Sequence, residues 1–252
     1  PGYIEDATGE VVTLDTSPKT IVSLMPSNTE ILYALGAKKQ VVGVTEFDDY
    51  PADVKKKEIV ASMEWNVEKI IELKPELVLA HEMSLANAEG AIEQIRAAGI
   101  PLFVMPTAES IEETYKQIET VGRLLKKDKE AAKVIEQMIQ KIDDVQLAID
   151  EQLSKKVFVE TSGEPDIYSP GKGTFIDEML EMLKAYNIVE EDGWVMYSPE
   201  KIIEQNPDVI IAMYDYVPNV VESIQKRDGF EQVTAVQKGS VVQVDENLLS
   251  RT

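Results

Sequence analysis

Residues 66 to 80 read NVEKIIELKPELVLA and residues 198 to 212 read SPEKIIEQNPDVIIA. The offset, from Glu68 to Glu200, is 132 positions in a chain of 252 residues. That repeat leaves room for two related lobes and little else, so it sets the architecture before any other feature is read. In each copy a short amphipathic helix (Ile70, Ile71 and Leu73; Ile202 and Ile203) is stopped by a proline, Pro75 or Pro207. An apolar run follows that reads as a buried strand.

The openings of the lobes repeat the scheme. Ile21-Val22-Ser23-Leu24-Met25 reads as a buried strand, then Ser27-Asn28-Thr29-Glu30 as a capping box opening a helix that Gly36 closes. In the second lobe residues 157–161 form the strand and Thr174-x-x-Asp177 the cap. Ile176, Met179, Leu180 and Leu183 make the apolar face of the helix, and Asn187 its stop. Further apolar runs at 41–44, 77–80, 102–105, 209–213 and 241–244 alternate with helical segments, the pattern of parallel α/β lobes.

Residues 109–153 hold no proline and a single glycine, Gly122. Apolar residues at Ala131, Ile135, Met138, Ile142, Val145 and Ile149 keep one stripe on a helix. Counted from Asp128 through residue 153, this helix has about 26 residues and spans roughly 39 Å. The expected fold is therefore α/β, with two similar parallel-sheet lobes, residues 1–108 and 154–252, bridged by one long helix within 109–153. A ligand cleft between the lobes follows from that plan.

Charge and composition narrow the function. With 25 Lys and Arg against 46 Asp and Glu, the net charge of −21 repels phosphate backbones, so nucleic acid is an unexpected partner. The absence of cysteine excludes disulfides, iron–sulfur clusters and thiol catalysis. His81 is the only histidine; as a lone ligand it is a weak candidate metal site, and no cofactor is expected. Ser169-Pro170-Gly171-Lys172-Gly173-Thr174 resembles a phosphate loop but has Asp166 where the motif needs Gly. No nucleophile elbow or dinucleotide fingerprint is found, and the chain reads as a non-enzyme. A two-lobed enzyme with a carboxylate pair in the cleft is the alternative from a different class.

Ligands of open α/β lobes sit at the carboxyl ends of strands. The segments there, 45–50, 81–86, 107–109, 162–173, 214–217 and 245–251, are joined by 62–66 and 194–198 ahead of the repeated helices. They hold Phe47, Tyr50, Trp65, Tyr168, Trp194, Tyr197, Tyr214 and Tyr216, eight of the sixteen aromatics, and Asn247. Among these segments the basic residues are Lys172 and Arg251. Aromatic loops with little positive charge suit a large, weakly charged, partly apolar ligand.

The runs Asp6-Ala7-Thr8-Gly9-Glu10-Val11-Val12, Pro26-Ser27-Asn28-Thr29-Glu30, Asp49-Tyr50-Pro51, Lys74-Pro75-Glu76-Leu77-Val78 and Gly171-Lys172-Gly173-Thr174 resemble substrate-binding proteins of ABC importers for cobalamin and iron-siderophores. Within that group the chain is most similar to cobalamin-binding lipoproteins of Gram-positive bacteria. The resemblance implies a monomer that captures cobalamin, or an iron-siderophore or haem, outside the cytoplasm and hands it to an ABC permease. It implies aromatic ligand contacts at Tyr50, Trp65 and Trp194, and docking of Glu68 and Glu200 onto permease arginines. It further implies a signal and a lipid-modified cysteine before Pro1, and a final helix after residue 252.

Overall fold

A computed structural model describes residues 4–49, 52–149 and 155–244. Tyr50 and Asn247, both expected at the ligand site, lie outside these residues, as does Arg251. The chain divides into two compact units, Pro1–Ile135 and Glu136–Thr252.

Unit 1 opens with a short antiparallel pair, β1 (Ile4–Glu5) and β2 (Val11–Val12). It continues through β3 (Ile21–Ser23), α1 (Pro26–Ala34), β4 (Val41–Thr45), β5 (Glu58–Ala61), α2 (Val67–Glu72), β6 (Leu77–His81), α3 (Leu85–Ala97), β7 (Leu102–Met105), α4 (Ile111–Leu124) and the first turns of α5 (Asp128–Ile149). Strands β3 to β7 form a parallel sheet in the order β5-β4-β3-β6-β7. Every residue of β6 and β7 is buried. That is why their sequences are unbroken apolar runs and not alternations.

Unit 2 contains β8 (Lys156–Glu160), β9 (Tyr168–Pro170), α6 (Phe175–Met182), β10 (Tyr186–Asn187), β11 (Trp194–Met196), α7 (Pro199–Gln205), β12 (Val209–Ala212), α8 (Val220–Gln225), α9 (Thr234–Gln237) and β13 (Val241–Gln243). Its parallel sheet has the order β10-β8-β12-β13. Matching β8 to β3, β10 to β4, β12 to β6 and β13 to β7 reproduces the order of unit 1 without its edge strand.

The repeat survives at the level of single backbone groups. Helix α2 is closed by Lys74 at φ 49° and α7 by Asn206 at φ 48°, each in the left-handed region and each followed by proline. Two residues on, Glu76 N–H donates to Thr20 O at 2.9 Å and Asp208 N–H to Lys156 O at 2.8 Å. Each of these bonds ties the turn to the strand that β6 or β12 will join.

Two expected helix boundaries differ. Ser27 does not cap α1: the helix starts at Pro26, with Met25 as its N-cap and no side-chain bond. Ser27 to Glu30 are instead buried, with Asn28 Nδ2 donating to Ala80 O at 3.0 Å and Thr29 Oγ1 bonding Ser23 Oγ at 2.7 Å. The polar run fastens α1 to β3 and β6. Asn187 does not stop α6, which ends at Met182, because Lys184 adopts φ 60° and turns the chain first. Asn187 pairs in β10 and donates to Asp177 Oδ1 at 2.9 Å. The expected cap at Thr174 is present, its hydroxyl accepting from Asp177 N–H at 3.2 Å.

Helix α5 buries Ala131, Met138, Ile142, Val145 and Ile149 of the anticipated stripe, leaves Ile135 half-buried and adds Val134. The boundary between the units falls inside this helix, between Ile135 and Glu136. Gly122 allows α4 to approach its start, since a Cβ there would lie 2.5 Å from that of Ala131. Among the described residues no helix is long and apolar enough to cross a membrane.

Candidate functional site

In unit 1 the sheet order reverses direction at β3, so the loops after β3, β4 and β6 stand where open parallel sheets take ligands. After β4 the chain makes a closed turn. Asp48 Oδ2 accepts from Thr45 N–H at 2.9 Å and from Thr45 Oγ1 at 2.8 Å, while Phe47 N–H donates to Thr45 Oγ1 at 3.2 Å. This turn fixes Phe47, which is half-buried. Asp48 is only 5% exposed. Burial pushes its carboxyl up from 3.8 to about 6, against the opposing effect of bonds from Thr29 and Thr45. Tyr33 on α1 is pushed up to about 12 by burial and by Asp53 and Asp48.

His81 ends β6 and is buried, its Nδ1 accepting from Met83 N–H at 3.1 Å. Burial lowers its pKa to about 4, so the ring is neutral at pH 7 and caps the turn that follows. Among the described residues no group of three or more His, Asp or Glu gathers as a metal site. Trp65 bridges to Ala61 and is half-buried against the core that includes Val60, Ala61 and Ile70.

In unit 2 the structure joins segments that sequence reading had kept apart. Strands β9 and β11 form an antiparallel ribbon with Tyr168 opposite Met196 and Pro170 opposite Trp194. Residues directly opposite share a face, as do alternate residues along a strand, so Tyr168, Pro170, Trp194 and Met196 all lie on one side. Met196 is exposed, Tyr168 half-buried and Trp194 buried.

Two of the rings expected at the ligand site pack in the hydrophobic core of unit 2. Tyr197 takes the other side of the ribbon, 3% exposed, its ring centroid 5.5 Å from that of Phe158. Tyr214 is 1% exposed and its hydroxyl donates to Glu160, which Arg227 grips at 2.7 and 2.9 Å. A tyrosine in a loop satisfies its hydroxyl inward when a buried carboxylate is within reach. The exposed Met63, Met83 and Met196 went unread; each is a soft apolar group in one of the segments marked above.

Glu68 and Glu200 are both exposed in the first turns of α2 and α7. The two helices are capped alike, Asn66 accepting from Lys69 N–H at 3.1 Å and Ser198 from Lys201 N–H at 3.2 Å. Each carboxylate is thereby held at the positive end of its helix.

Comparison with known proteins agrees with this architecture. Over its whole length the chain is 44% identical to YvrC of Bacillus subtilis, an uncharacterized ABC transporter substrate-binding lipoprotein, and covers 81% of it. A vitamin B12-binding protein of Yersinia pseudotuberculosis is 29% identical over 195 residues, 76% of this chain and 68% of that one. The crystal structure of a possible iron-binding, periplasmic solute-binding protein from Staphylococcus epidermidis superposes with a TM-score of 0.53 at 36% identity, covering 92% of this chain and 91% of the other. Residues 21–248 match the family model described as periplasmic binding protein, and the chain belongs to that family, Peripla_BP_2.

Proposed function

We propose that the protein is the extracytoplasmic substrate-binding component of an ABC importer, carried by a lipid-anchored precursor, and that its ligand is a cobalamin. The observation that carries the transporter reading is the 44% identity to the Bacillus lipoprotein across the whole chain. Support for cobalamin comes from the vitamin B12-binding relative and from the chemistry of the strand-end loops. Phe47, Trp65 and Tyr168, each half-buried, keep apolar surface for a corrin, while Trp194, 7% exposed, is retained with Tyr50 and Asn247 on sequence grounds. Glu68 and Glu200 are the docking acids, each meeting an arginine of the permease. No catalytic step is assigned to any residue.

Trp65 and Trp194 are the only tryptophans, so ligand binding reports on both. Titration with cyanocobalamin, followed by tryptophan fluorescence and calorimetry, is expected to saturate at micromolar ligand or below. A ferric chelate or haem is the competing reading, favoured by the Staphylococcus relative. Saturation by haemin or a ferric siderophore, with no response to cyanocobalamin, replaces the ligand and leaves the transport role in place.

A further inference from the structure

Tyr216 is 63% exposed, yet both its hydroxyl and its ring have partners within unit 2. Its hydroxyl accepts from Gly163 N–H at 2.8 Å, and its ring lies 5.1 Å from that of Tyr214 at an interplanar angle of 32°. Tyr214 is anchored in turn, by its hydroxyl to Glu160 and by its carbonyl to Gln243 Nε2 at 2.9 Å. Arg227, 6% exposed, closes the chain of contacts by gripping Glu160 through two nitrogens. Gly163 is required at its place, because a Cβ there would stand 2.9 Å from the Tyr214 hydroxyl oxygen.

We infer that Tyr216 is a pre-positioned ligand-contact residue of unit 2, and that Gly163, Tyr214, Glu160 and Arg227 are its positioning residues. The inference deepens the transport reading above and rests on it. Water satisfies an exposed tyrosine hydroxyl without help, yet this one takes a backbone N–H and its ring leans on a buried ring that Glu160 and Arg227 anchor, which orients Tyr216 while most of it stays in solvent. Fixing the ring before binding removes an ordering cost that a mobile side chain would bear on association. The ring follows β12, at the carboxyl end of the parallel sheet, where ligands bind. Having accepted from Gly163, the hydroxyl keeps its own hydrogen to donate. The residue therefore suits a large ring system that stacks on its face and carries amide or carboxylate oxygens at its edge.

The test measures the affinity of wild type, Tyr216→Ala and Tyr216→Phe for cyanocobalamin by calorimetry. It adds nitration of Tyr216 by tetranitromethane, mapped by mass spectrometry with and without ligand. Tyr216→Ala is expected to lose about tenfold or more in affinity at an unchanged melting temperature, and Tyr216→Phe a smaller part of that. Ligand is expected to protect Tyr216 from nitration. Unchanged affinity in Tyr216→Ala, or equal nitration in both states, overturns the inference while wild-type binding leaves the transport reading standing. If haemin or a ferric siderophore is the chelate that binds, the same variants are read against it with the same outcomes. Wild-type protein that binds none of the three overturns both readings together.

Discussion

Replacing Asp48 by asparagine is expected to stabilise the protein at neutral pH and to leave it unchanged in acid. The carboxyl is buried, 5% exposed, and its pKa is raised from 3.8 to about 6. A raised acid gives the fold stability that is complete below pH 3.8 and is lost as the pH climbs through 6. The gap of about two pKa units corresponds to about 3 kcal/mol at pH 8. Asparagine keeps an oxygen for the Thr45 N–H and Thr45 hydroxyl and removes the charge. About 2 to 3 kcal/mol of gain at pH 8 follows, a rise of roughly 5 to 10 °C in melting temperature for a chain of this size. Guanidinium denaturation of both proteins at unit steps from pH 4 to pH 8 measures it, and the difference between them isolates Asp48 from the other acids. A variant less stable than wild type at pH 8 would show that the Thr45 bonds to the carboxylate outweigh its desolvation. A gain independent of pH would show that Asp48 does not titrate in this range; either result refutes the argument.

Four further outcomes follow from the same geometry. His81, as the single histidine, gives one imidazole C2–H resonance, expected to titrate near 4 and not near 6.5. Its contribution is present above pH 6.5, and about 3 kcal/mol is lost as the pH falls through 4. Arg227→Ala leaves the buried Glu160 carboxylate with the Tyr214 hydroxyl but without its charged partner and should cost about 3 to 5 kcal/mol by denaturant titration; a loss below about 1 kcal/mol contradicts the reading of this pair as buried and coupled. Trp65→Ala should weaken ligand binding by about 1 to 3 kcal/mol in calorimetry, and an unchanged constant removes Trp65 from the site. Glu68→Ala combined with Glu200→Ala should leave ligand affinity intact while uptake through the permease fails; loss of both would show that these acids do not act in docking.

The sheets were legible because both faces of a parallel strand are covered. Leu77 to Ala80 and Val209 to Ala212 carry that requirement as unbroken apolar runs, and the repeat carries the rest. Helix boundaries were less so. Ser27-Asn28-Thr29-Glu30 has the letters of a capping box, but Pro26 already occupies the first helical turn, and the two side chains between the box's ends, Asn28 and Thr29, bond Ala80 and Ser23. Local letters announce a cap; a distant strand decided what they bond. The pairing of β9 with β11 left no trace, because it joins three-residue strands about two dozen positions apart.

The same contrast separates the proposed ligand rings from the core rings. A loop after a buried strand lies as near the core as the solvent, so an aromatic there is drawn to whichever side offers its polar atom a partner. Tyr214 finds Glu160 and turns in; Tyr216, two residues later, finds only a backbone N–H at the surface and stays out. Nothing in the segment distinguishes them, since the deciding partners come from 54 and 53 positions away. For Trp194 and Tyr197 a signal was present. Within Trp-Val-Met-Tyr, extended backbone puts the first and third residues on one face and the second and fourth on the other, and Val195 packs on the core. Reading that alternation assigns Tyr197 to the core and leaves Trp194 and Met196 together, as the register with Pro170 and Tyr168 has them.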